Sequence, residues 1–179
     1  MLIKILVVLA VILLAFVVIV ALQPADFRVA RSTHILAPPT AAFGQVNDIK
    51  KWEAWSPWLK LDPNARSSYE GPSAGAGAAM AWAGNNKVGE GRMTITESQP
   101  PELVRFRLDF FKPMAGTSTA EFTFKPEGDQ TVVTWAMFGK NNFKAKAFGL
   151  FVNCDRMIGG QFEKGLASMK SIVEGAMRK

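Results

Sequence analysis

KAFGLFVNCDRMIGGQFEKGLASMKSIVEGAM, residues 146–177, decides the fold. Its bulky apolar residues recur as Phe148, Phe151, Val152, Ile158, Phe162, Leu166, Met169, Ile172 and Val173, the three-and-four spacing of one helix face. Arg156, Glu163, Lys164, Lys170, Glu174 and Arg178 fall on the other face, so the stretch predicts an amphipathic helix packed on a broad partner. At about 1.5 Å per residue it would run roughly 45 Å. Two features do not suit a plain core helix. Asp155 lies between Phe151 and Ile158, and Gly159-Gly160 costs about 1 kcal/mol per glycine relative to alanine. Asp155 is either a half-exposed aspartate at a helix junction or a carboxylate at the mouth of a cavity, where the glycines let backbone or ligand come close. In a cavity, desolvation would raise its pKa unless Arg156 or another cation reaches it.

The partner for that helix lies upstream. From Ser67 onward short alternating runs are separated by turn residues, as in an antiparallel meander. Val104, Phe106, Leu108 and Phe110 alternate with Arg105, Arg107 and Asp109, which is the clearest one-sided strand in the chain. Ala120, Phe122 and Phe124 follow the same rule, and residues 131–138 are apolar on both faces. Five or six strands are expected here. A further strand is predicted over 27–35, where Phe27, Val29, Thr33 and Ile35 face away from Arg28, Ser32 and His34. Short helical segments follow Pro38-Pro39, and Pro57 prevents residues 52–61 from forming one straight helix. Trp52, Trp55 and Trp58 fall within seven residues, an aromatic density that means either a large buried surface or a ligand wall.

The remainder of the 179 residues narrows the function classes. Ile5 to Leu22 is apolar without exception, close to the roughly 20 residues that cross a hydrocarbon core. No A-x-A cleavage pattern lies between Val11 and Ala30, so a retained anchor is expected, with the membrane engaged through residues 5–22. Lys4 and the amino terminus are positive on one side, while Arg28 and Arg31 are partly offset by Asp26 on the other; the soluble domain is expected on the extracytoplasmic side. The domain organisation expected is an anchor over 1–24 and one globular domain over 25–179. A single cysteine, Cys154, and a single histidine, His34, cannot form a zinc cluster within one chain, and His34 sits on the polar side of its strand. The net charge is +6, but the basic residues are interspersed with acids and no run of five or six like charges occurs; Lys140, Lys144 and Lys146 form the densest group. Phosphate motifs fail as well, since Gly75-x-Gly77 lacks its third glycine. No metal, cofactor or nucleic-acid partner is therefore expected.

The order of elements resembles the START-like (SRPBCC) helix-grip superfamily. So do Trp52-x-x-Trp55-Ser56-Pro57-Trp58, Asp62-Pro63, Tyr69-x-Gly71-Pro72, Val133-Thr134-Trp135 and Gly165-Leu166-x-x-Met169-Lys170. The chain looks most like the bacterial polyketide cyclase/dehydrase-like branch, over about residues 27 to 177. The resemblance implies an α+β fold in which a curved antiparallel sheet wraps the C-terminal helix and leaves a cavity for an apolar ligand. Members include cyclases and carriers of lipids or sterols, and no cyclase catalytic set carries over to this chain residue by residue. The leading expectation is a membrane-tethered module that binds a hydrophobic small molecule, lipid-like or aromatic. Its cavity would be lined by some of Trp52, Trp55, Trp58, Trp82, Phe106, Phe110, Phe122, Trp135, Phe151, Asp155 and Phe162. The alternatives are a polyketide cyclase/dehydratase-type enzyme, with Asp155 or Asp109 as a proton-transfer group of raised pKa, and a protein-interaction domain with a closed cavity. A filled cavity favours the last, an open one with an isolated buried carboxylate the enzyme, and an open one without convergent polar groups the binding module.

Overall fold

The computed structural model describes residues 1–178. A helix, α1 (Leu2–Leu22), leads through Gln23-Pro24 into β1 (Asp26–Ile35). After Pro38, α2 (Pro39–Asn47) and a one-turn helix α3 (Trp52–Trp55) cross the sheet; Ser56 is extended and Pro57 caps a separate 3-10 turn at Trp58–Lys60, so residues 52–61 are not one straight helix, as expected. The meander follows as β2 (Arg66–Glu70), β3 (Ala79–Ala83), β4 (Glu90–Gln99), β5 (Leu103–Lys112), β6 (Gly116–Glu127) and β7 (Gln130–Lys140). Two helices close the chain, α4 (Phe143–Gly149) and α5 (Cys154–Met177).

All seven strands form one antiparallel sheet in the order β1-β7-β6-β5-β4-β3-β2. The meander thus contributes six consecutive strands, and β1 adds to its last member, with Arg31 opposite Trp135 and Val29 opposite Met137. Register shifts in the β4–β5 pair between Glu90 and Gly91 and between Ile95 and Glu97 mark bulges that increase local twist. The twisted sheet can then wrap a helix.

The α5 helix lies along β1, which is otherwise an open edge. Phe162, Leu166, Met169 and Val173 are its buried stripe, and all four were on the expected face. Its side chains also hold β1 from outside the sheet. Lys170 Nζ donates to the His34 carbonyl at 2.7 Å, and Glu174 Oε1 accepts from the Leu36 N–H at 2.9 Å. That N–H bond, with Lys170 nearby, holds the Glu174 carboxyl below its usual range.

The expected single helix over 146–177 is broken. Asn142 caps α4 by accepting from the Ala145 N–H, and Asn153 restarts the chain by accepting from the Arg156 N–H. The break over residues 150–153 turns α4 away from the sheet, so Phe148 and Phe151 are exposed although they continue the apolar period. His34 is exposed on β1, 3.4 Å from Glu127.

Candidate functional site

The seam between α5 and the sheet has a closed part and an open part. In the closed part, Trp135 of β7 stacks on Phe162 of α5 with ring centroids 4.2 Å apart and planes 13° apart. Phe122 stacks against the same indole at 4.7 Å, and Trp58 meets it edge-on at 5.3 Å. Trp52 and Trp55 cover the sheet beside them, and Trp52 touches Phe106 at 5.2 Å. Their indole N–H groups donate to the carbonyls of Val46 and Gln45, which fixes both rings on α2. Gly165 makes the approach of α5 possible, because a Cβ there would lie 2.8 Å from the Trp135 ring and 3.1 Å from Pro57.

Of the eleven residues proposed from sequence, Trp52, Trp55, Phe106, Phe122, Trp135 and Phe162 are buried in this cluster, and Trp58 packs against its edge. They touch one another at ring-to-ring contact distances. Trp82 and Phe110 form a separate edge-on pair at 6.0 Å on β3 and β5, with Gly91 leaving room for the indole. Among the described residues, Trp135 Nε1 is the buried side-chain nitrogen or oxygen without a hydrogen-bond partner, at a cost of about 1–3 kcal/mol.

The open part begins two residues along β7 on the same face. A solvent-open groove of about 700 Å³ lies between the start of β1, the end of β7, α4 and the first turns of α5. That volume is within the range of about 300–1,000 Å³ usual for small-molecule sites. Phe27, Val29, Met137, Leu150, Val152 and Ile158 supply its apolar walls, and Phe151 and Asp155 also line it. Only these last two come from the expected set. Phe27, Val29 and Ile158 carried a usable signal, since they lie on the apolar faces of β1 and of the final helix. What the sequence did not contain was the register that places them together.

Arg31 marks the border between the two parts, opposite Trp135 in the sheet. Its Nη2 meets Asp155 Oδ2 at 2.9 Å, and its Nε meets Glu163 Oε1 at 2.7 Å. The guanidinium passes over Gly159, where a Cβ would collide with it; nothing lies within 4 Å of a Cβ at Gly160. Gly159 therefore admits a side chain of the protein itself. Of the two readings of Asp155, the half-exposed aspartate at a helix junction is the one found, and the raised pKa expected inside a cavity is corrected. Hydrogen bonding to Arg31 outweighs the opposing desolvation and holds the carboxyl below the usual range, and its side chain is 60% exposed. Asp109, the other proposed acid, is also lowered, chiefly by Arg107 Nε at 2.9 Å and further by the Thr117 hydroxyl at 2.8 Å. Neither is a general acid poised near neutral pH.

A family model described as polyketide cyclase / dehydrase and lipid transport matches residues 26–174. The chain belongs to this family. Its solved structural neighbours in this helix-grip fold include a protein from Chromobacterium violaceum at 15% identity, covering 85% of this chain and 99% of that one with a TM-score of 0.59. A Thermobifida fusca protein shares 18% identity over 82% of this chain and 92% of its own, with a TM-score of 0.63. The di-domain ARO/CYC BexL from the BE-7585A biosynthetic pathway aligns over 88% of this chain and 53% of its own, at 15% identity and a TM-score of 0.62. No curated protein matches the sequence. Family and fold together support a hydrophobic-ligand-binding or cyclase-type module.

Proposed function

We propose that this chain is a membrane-anchored module that holds a hydrophobic small molecule, lipid-like or aromatic, in the open part of the helix–sheet seam. The observation that carries the reading is the open groove of about 700 Å³, partly apolar-walled, beside the end of α1. Its rim carries Asp26, Arg28, Lys146 and Asp155 with the amides of Gln23, Asn141 and Asn153, and the one carboxylate drawn from the final helix is already engaged by Arg31. Apolar walls with polar groups around the edge suit binding and orientation of a ligand. The cyclase-type reading needs a carboxyl held neutral, and the two acids proposed for it are both pushed the other way.

In this reading α1 is the retained anchor and residues 25–179 are the binding domain. The helix is long and apolar enough to cross a bilayer. Its last turn is not independent of the domain, since Val20 is buried where α1 meets α4, and Lys146 Nζ donates to the Ala21 carbonyl at 3.2 Å. The domain lies on the extracytoplasmic side, with Lys4 retained on the cytoplasmic side. Native mass spectrometry of the full chain, released gently from membranes, tests the function. A bound apolar molecule is expected; an empty protein that also takes up no added fatty acid or aromatic probe would sink the proposal.

A further inference from the structure

We infer that the end of the domain from which α1 emerges lies flat on a bilayer containing anionic lipid, held by two apolar projections. The inference rests on the part of the proposed function in which α1 crosses the membrane, and it does not depend on a ligand being bound. The sheet register supplies the first observation. Asp26 pairs with Lys140, Gly139 with Ser118, and Phe110 with Gly116, so the α1 junction, the start of α4 and the β5–β6 hairpin tip all lie at one end of the sheet. With strands about 4.8 Å apart, the hairpin stands roughly 14 Å from the α1 junction.

Both places expose large apolar side chains. Phe143, Phe148, Leu150 and Phe151 are exposed along α4 and the turn after it, Phe151 at 80%. Phe111 and Met114 are exposed at the hairpin tip. Single exposed hydrophobes are ordinary, whereas two clusters at the foot of an apolar helix form a patch that water does not favour. The basic residues lie with them. Lys140, Lys144 and Lys146 are in no ion pair among the described residues, while Lys112 is paired with Glu90 at 2.8 Å. The hydrogen bond from Lys146 to Ala21 sets the depth. Ala21 is one residue from the end of the apolar run, so α4 sits where hydrocarbon gives way to headgroups, the level at which basic amphipathic segments bind. One wall of the cavity then faces the headgroup layer.

The test uses the full chain in vesicles of phosphatidylcholine with phosphatidylglycerol, carrying one nitroxide at a time in a Cys154→Ser background. Labels go on Phe148→Cys, Met114→Cys, Val11→Cys within α1, and Lys125→Cys near the opposite end of the sheet. Collision rates with oxygen and with a water-soluble nickel chelate report depth. Oxygen should dominate at Phe148, Met114 and Val11, and nickel at Lys125. Lys140→Glu combined with Lys144→Glu, or vesicles of phosphatidylcholine alone, should shift Phe148 and Met114 towards nickel and leave Val11 unchanged. If Val11 is immersed while Phe148 and Met114 match Lys125, this inference fails and the anchor stands. If Val11 is itself aqueous, both fail. Immersion unchanged by the charge reversal and by neutral vesicles would overturn the anionic part.

Discussion

The two parts of the helix–sheet seam are built from similar residues and end in different states. At the level of Trp135, rings from α5, β6, β7 and the segment after α3 stack until the space is used. Two residues nearer α1, Met137 faces the open groove, at the level where the chain has left α4 at Leu150 and has not yet entered α5 at Cys154. Continuous helix through 146–177 would have brought Phe148 and Phe151 onto the sheet and closed this part too. The open part coincides with the break in the helix, while the aromatic residues concentrate in the closed part. The difference separates stability from function: substitutions in the closed part should unfold the domain, and those in the open part should alter what it holds.

Phe162→Asp should have the largest effect. It puts an unpaired charge against Trp135 and should cost several kcal/mol or prevent folding. Lys164→Ala, two positions away on the exposed side, should change stability by about 0.5 kcal/mol or less in the same thermal melts. A near-normal Phe162→Asp would mean the closed part is not the core.

Gly165→Ala comes next. The new methyl meets an indole and a proline ring, neither of which can swing aside, so overpacking should lower stability by about 1–3 kcal/mol despite the better helix propensity of alanine. An increase in stability would show that the stack has slack and that the contrast between the two parts is overstated.

At the border, Asp155→Asn should lower stability only modestly at neutral pH, and the deficit should close on acidification. The carboxyl has a depressed pKa in the folded state, so its contribution is present above the unfolded value of about 3.9 and is lost as pH falls through the folded value. Asparagine does not titrate there. Melting curves of both proteins across the acid range check the sign, and a gap that widens with acid would contradict the Arg31 pairing.

Much of the fold was legible because alternation and spacing are local. The strand 103–112 and the Phe162-to-Val173 stripe needed no tertiary information to recognise. Asp155 did, since its partner Arg31 is 124 residues away in sequence and arrives through the β1–α5 packing. Phe148 and Phe151 show a different limit. A three-and-four period identifies an apolar face without saying whether it meets a core, a cavity or lipid. For Trp52, Trp55 and Trp58 the sequence left a buried surface and a ligand wall both open, because whether such rings enclose a space or fill it depends on distances of an ångström or two that residue types do not encode.

Ile158→Trp tests most directly whether the open part of the seam holds the ligand. Ile158 lines the cavity from α5, and a larger side chain there enters open space, so stability should change by less than about 1 kcal/mol. Native mass spectra of the full chain should then show an apolar molecule bound to the wild type and little or none bound to Ile158→Trp, with both proteins folded. Equal occupancy in the two would place the ligand elsewhere and contradict the account.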